Sequence, residues 1–201
     1  MQHHDTRTVD GGPAAGETHH PDASHPDGQY SRAAKLFHWV TIPPLGIVLL
    51  SGLTIRFTND VARMPFYTLH ESLGLLVLPL ALARLAYRLR HPPPAWPAHM
   101  SGPARAGADA VHYLLYGILV LQPVVGFVTT NVYGFPQREG TAFLGFVNLP
   151  AFMAEAPELA LWLHWAHSLT GWLLILLIAA HMGATLYHHA IRRDGTLMRM
   201  L

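Results

Sequence analysis

Fifteen histidines and no cysteine set the chemistry open to this 201-residue sequence. Without thiols there is no disulfide, no thiolate-held iron–sulfur cluster and no covalent attachment of a c-type haem. Neutral imidazole is left as the metal ligand, and it suits zinc, copper and haem iron. Five histidines (His3, His4, His19, His20 and His25) crowd the first 28 residues, where the bland alternative to weak metal capture is a solvated polar tail. Eight of the others recur inside or at the ends of long apolar stretches: His38, His70, His112, His164, His167, His181, His188 and His189. Ionisable groups inside such stretches are costly to bury in hydrocarbon and are usually functional.

The elements that must position these rings follow from composition. The chain is 51% hydrophobic and 12% charged, about half the charged share of a soluble domain. Its net charge of +1 gives no basis for nucleic-acid binding. Residues 1–28 lack the apolar surface to fold and read as a disordered tail; they also lack the apolar region of a secretory signal. From residue 29 onward four segments are long enough to cross a bilayer: Leu36–Ile55, Pro65–Leu89, Ala110–Thr130 and Leu159–Ile191. Pro43, Pro44 and Pro79 are expected to kink or open the first two helices. The longest connection, residues 131–158, is expected to lie along the membrane surface. Nine Lys/Arg (Arg32, Lys35, Arg84, Arg88, Arg90, Arg105, Arg192, Arg193 and Arg199) fall on one side and three (Arg56, Arg63 and Arg138) on the other. That bias predicts both termini and the second connection on the cytoplasmic side. The fold class is therefore all-α, an integral membrane four-helix bundle.

Depth then pairs the histidines. His167 and His181 are 14 residues apart, about 21 Å and close to four turns, so they share a face at two levels. Spans 2 and 4 run in the same direction, which brings His70 level with His167 near the outer end. Span 1 runs oppositely and brings His38 level with His181 near the inner end. His112 also lies near the inner level and could stand in for His38 on spacing alone; His164 is a lesser competitor of His167. Two stacked imidazole pairs on facing helices suit axial ligation of two haems. Zinc fits less well, since neither level offers an obvious third and fourth ligand. Gly74 and Gly171, each four residues beyond a histidine, place positions without side chains on the ligand face. Taken singly, each histidine could equally be a packing residue or a proton relay.

From Tyr30 to Leu201 the chain resembles the bacterial cytochrome b561 family. The likeness is carried by Tyr30-Ser31-Arg32, Phe37-His38-Trp39, Leu69-His70 with Gly74, and Arg84-Leu85-Ala86-Tyr87-Arg88 followed by Pro92-Pro93-Pro94. It continues through His112, Gln122-Pro123-Val124-Val125-Gly126, His167, His181, His188-His189 and Gly195-Thr196-Leu197-Met198-Arg199-Met200. The resemblance implies two haem b groups in a bacterial inner membrane, the inner held by His38 and His181 and the outer by His70 and His167. It also implies electron exchange with quinone. The likeness is strongest to small di-haem members that oxidise superoxide at the periplasmic face and reduce ubiquinone, which makes the chain an oxidoreductase. The alternative is an electron-carrier subunit linking quinone to a separate redox partner protein. A His-based proton or metal transporter without haem is a weaker third.

Three further expectations attach to single residues. Arg84 and Arg88, one turn apart near the inner end of span 2, are candidates to pair with haem propionates, or else are plain positive-inside anchors. His188 or His189 could hydrogen-bond a quinone oxygen. The outer segments carry Asp60, Glu139, Glu155 and Glu158 beside their three arginines, with Glu71 just inside, a balance that does not steer a superoxide anion.

Overall fold

A computed structural model describes residues 28–135 and 142–201. The N-terminal tail, apart from Gly28, and the loop positions Arg138 and Glu139 lie outside the described residues. Four long helices form: α1 (Arg32–Phe57), α2 (Asp60–Arg90), α3 (Gly102–Val132) and α4 (Pro157–Tyr187). Each is long and apolar enough to cross a membrane.

Their starts are set by local chemistry. Ser31 caps α1 by accepting from the amide of Ala34 at 3.2 Å, and Asn59 caps α2 by accepting from Ala62 at 3.1 Å. In α3 and α4 a proline sits at the first turn, where its missing N–H costs nothing. The helices do not end at the prolines expected to kink or open them. α1 runs unbroken through Pro43 and Pro44, and α2 through Pro65 and Pro79. Each proline removes one ladder bond, and the tertiary packing of a long helix holds it in place.

α1 packs along α2 and α3 along α4, and α2–α3 contacts join the two halves. The buried centre is small: Val77 and Ala81 of α2, Ile118 and Leu119 of α3, and Leu174 and Leu177 of α4, with Leu45, Val48 and Leu49 of α1 against them. Leu174 and Leu177 lie between His167 and His181 along α4, so this apolar layer separates the two histidine levels. The outward faces are apolar as well. Leu50, Leu169, Leu176 and Trp162 are each more than 60% exposed, as lipid-facing residues must be. The remaining α4 tryptophans, Trp165 and Trp172, also point outward.

The end of the bundle that holds both described termini is here called inner. After α4 come one wide turn (His188–Arg192) and a short 3₁₀ turn (Leu197–Arg199). This segment is clamped beneath α1. Trp39 Nε1 donates to the carbonyl of Met200 at 3.0 Å, Lys35 Nζ to that of Leu201 at 3.0 Å, and Arg199 to those of Gly28 and Ala95 at 2.7 Å each. At the outer end a two-residue hairpin pairs β1 (Ala142–Phe143) with β2 (Val147–Asn148). Its turn places Leu144 and Gly145 at positive φ. Ser72 Oγ on α2 accepts from the amide of Leu144 at 2.9 Å. Fully buried Asn131 ties down the rest, donating to the carbonyl of Pro150 at 3.3 Å and accepting from the amide of Phe152 at 3.0 Å. Phe146 and Phe152 stay exposed on this loop, in keeping with a segment lying on the membrane surface.

Candidate haem-binding histidine pairs

The bundle brings the four singled-out histidines together as two pairs. His70 of α2 and His167 of α4 have ring centres 6.0 Å apart and ring planes at 83°. His38 of α1 and His181 of α4 have ring centres 6.4 Å apart and planes at 70°. A metal–imidazole bond is about 2 Å, and the ring centre lies about 1 Å beyond the bonded nitrogen, so two imidazoles on opposite sides of one metal ion stand about 6 Å apart. Both pairs have that separation.

The outer pair is built around two glycines absent from the sequence reading of the ligand face. A Cβ on Gly52 of α1 would stand 2.9 Å from His70 Cε1, and one on Gly126 of α3 would stand 3.0 Å from His167 Cε1. Real Cβ contacts are almost never that short, so each ring needs a bare backbone beside it. His70 Nδ1 is 2.9 Å from the carbonyl of Val48, with Ser51 Oγ at 3.4 Å. A carbonyl only accepts, so Nδ1 carries the proton and Nε2 keeps its lone pair for a ligand bond, the usual outer-shell arrangement of a ligating histidine. Gly74 and Gly171 behave differently from one another. Nothing lies within 4 Å of a Cβ on Gly74, whereas one on Gly171 would meet Gln122 Nε2 at 3.0 Å. Gly171 makes room for a side chain: Gln122 donates to the carbonyl of His167 at 3.0 Å and accepts from Thr170 Oγ1 at 2.8 Å. Gln122 and Gly126 belong to one short motif of α3, and that spacing was the available signal for both.

At the inner level His181 has two neighbours. His112 of α3 is 5.3 Å away, ring centre to ring centre, closer than His38. His112 has a packing partner of its own, the indole of Trp96, stacked at 6.1 Å with planes 10° apart. Trp96 is in turn fixed by its Nε1–H donating to the carboxylate of Asp109 at 3.2 Å. His38, His112 and His181 all line one cavity of about 960 Å³, at the upper end of cofactor-site volumes. Arg84 and Arg88 line it too, each stacked on the ring of Tyr116 with Cζ 5.2 and 5.5 Å from its centre.

The donor set fits haem better than a bare ion. Among the described residues no group of three or more His, Cys, Asp or Glu side chains is placed to hold a metal ion, and two nitrogens at opposite ends of an axis are what a haem iron asks of a protein. The rings are also short of partners. Nδ1 of His38, His112 and His167 is buried without a hydrogen bond, and each such atom costs about 1–3 kcal/mol. His164 and His189 are exposed and join neither level. His188 lines the inner cavity.

Comparison with known proteins gives the chain a family. The family described as prokaryotic cytochrome b561 matches residues 29–201. Cytochrome b561 homolog 1 of Escherichia coli is 27% identical over 183 residues, covering 86% of this chain and 97% of that protein. Cytochrome b561 homolog 2 of the same organism is 31% identical over 177 residues, covering 86% and 91%. A Yersinia pestis protein named probable superoxide oxidase CybB is 25% identical over 166 residues, covering 82% and 90%.

Proposed function

Because the chain belongs to the prokaryotic cytochrome b561 family, a multi-pass electron-transfer cytochrome b of the bacterial inner membrane, we propose that it carries two b haems and passes electrons from the periplasmic face to ubiquinone. In this reading the outer end of the bundle is periplasmic and both termini are cytoplasmic, a placement the Lys/Arg bias supports. His70 and His167 hold the outer haem, His38 and His181 the inner one. The electron donor is superoxide, as the name of the Yersinia pestis relative suggests. The observation that carries the proposal is the pair of matched ring separations, 6.0 and 6.4 Å, at two levels of one bundle.

When bound, haem supplies a site that takes up and gives out single electrons. The polypeptide does the rest. The Val48 carbonyl fixes the His70 ring, and Gly52 and Gly126 let the outer helices close on both rings. The layer formed by Val77, Ala81, Leu174 and Leu177 excludes water between the levels. Arg84 and Arg88 give the inner cavity two fixed positive charges, suited to the propionates of the inner haem and to desolvated charge pairing with them.

The carrier reading has one observation in its favour. Glu155 and Glu158 stand with Arg56 and Arg63 on the described outer surface, so long-range steering of an anion is weak there. Superoxide generated outside right-side-out membrane vesicles separates the two. The proposal expects haem reduction followed by ubiquinol formation, both abolished by superoxide dismutase, and no such response from inside-out vesicles. Reduction no faster than that of an unrelated haem-loaded control cytochrome overturns it, and the carrier reading takes its place.

A further inference from the structure

Beneath the inner cavity three titratable side chains join into one path. His188, in the wide turn after α4, faces the cavity with its side chain 18% exposed. Its Nδ1 is hydrogen-bonded to Oδ2 of Asp194. The same Oδ2 lies 3.3 Å from Nε2 of His99, in the connection between α2 and α3. Asp194 is 7% exposed and His99 46% exposed, and neither lines the cavity. The sequence therefore runs surface, interior, cavity, with no hydrogen-bond step missing.

The backbone is shaped to make this path. Arg193 at φ 51° and Gly195 at φ 75° reverse the chain immediately around Asp194, which brings its carboxylate back to His188. A wide turn at a helix end is itself a frequent mark of a functional position. Asp194 Oδ1 is held separately, by the Thr196 amide at 3.1 Å and the Thr196 hydroxyl at 2.6 Å, leaving Oδ2 to the two imidazoles. Burial favours the neutral acid, but the hydrogen bonds from Thr196, His188 and His99 outweigh it and hold the carboxyl well below the usual carboxylate range. A lasting anion between two imidazoles lets a proton rest on either ring. Tyr187 is the other ring against His188, at 5.7 Å.

We propose that His99, Asp194 and His188 deliver protons from the cytoplasmic surface to a quinone bound in the inner cavity. This rests on the quinone reading above. The balance requires such a path. Reduction of one quinone consumes two electrons and two protons and turns each C=O into C–OH. The electrons come one at a time from the outer donor, two superoxide anions becoming two molecules of dioxygen. The protons have no source in an apolar bundle. His99 takes one from water, the proton passes through the shared Asp194 Oδ2 without resting there, and His188 presents it to the quinone oxygen. The path then reloads for the second.

Purified, haem-loaded Asp194→Asn tests this, because the amide keeps the shape and loses the charge. Haem reduction by superoxide, and electron delivery to ferricyanide, which takes an electron without a proton, are expected at wild-type rates. Ubiquinol formation is expected to fall by about 10²-fold, the usual scale of a lost proton-transfer group, with partial recovery in imidazole buffer. His99→Gln, at the exposed end, covers the case in which the buried variant fails to hold haem, and is expected to slow quinol formation with the same imidazole rescue. Quinol formation at the wild-type rate in these variants, or equal loss of ferricyanide and quinone reduction, overturns the relay. A wild-type protein that reduces ferricyanide and forms no quinol overturns the quinone reading itself, and the relay with it.

Discussion

His70→Ala and His167→Ala are each expected to lower the haem content from about two per chain to about one, and to remove the same component of the reduced spectrum. The two rings face one another at 6.0 Å across α2 and α4, so in the proposed assignment each would hold one side of the same haem, with no neighbouring histidine placed to replace it. His164, three residues before His167, is exposed. With the outer site gone, an electron has no point of entry at the periplasmic face, and superoxide-driven reduction of the remaining haem should fall to background. Gly52→Val should reproduce this loss with both histidines intact, since a Cβ alone would stand 2.9 Å from the His70 ring. Haem content by pyridine haemochrome and reduced-minus-oxidised spectra read the outcome. Two different components lost in the two alanine variants would break the outer assignment.

At the inner level the expected pattern is asymmetric. His38→Ala and His181→Ala should each empty the inner site, while His112→Ala should leave both haems bound. The difference does not come from proximity, because His112 is the nearer to His181. It comes from separation: at 5.3 Å the His112 and His181 rings stand closer than the about 6 Å that two imidazoles sharing one metal require, whereas His38 faces His181 at 6.4 Å. His112→Ala removes a packed ring and is expected to destabilise the protein by about 1–3 kcal/mol through the cavity it leaves. An empty inner site in His112→Ala with both haems retained in His38→Ala would reverse the assignment.

The helices and the two levels were legible in the sequence because each rests on one simple regularity. A span of about 20 apolar residues has to be a helix in lipid, and histidines 14 residues apart have to share a helix face. His38, His70, His167 and His181 came together as that arithmetic implied. What the spacing could not show was contact between helices far apart in sequence. A Cβ on Gly52 would stand 2.9 Å from the His70 ring, and this follows only from how α1 lies against α2. The neighbour of Gly171 was hidden for the same reason, since Gln122 reaches it from another helix. The relation of His38 and His112 to His181 was likewise beyond spacing, because it depends on how α1 and α3 lie against α4. Asp194 gave no signal as an isolated acid in a basic C-terminal run. Its meaning lies in a chain reversal at Arg193 and Gly195 that folds it back on His188.

The central claim is that this bundle holds two haems, one at each histidine level. Haem quantified against protein by pyridine haemochrome on the purified wild-type chain tests it most directly. The account predicts about two b haems per chain, both low-spin if each is held by paired imidazoles. A ratio near one or near zero in fully loaded protein would contradict it.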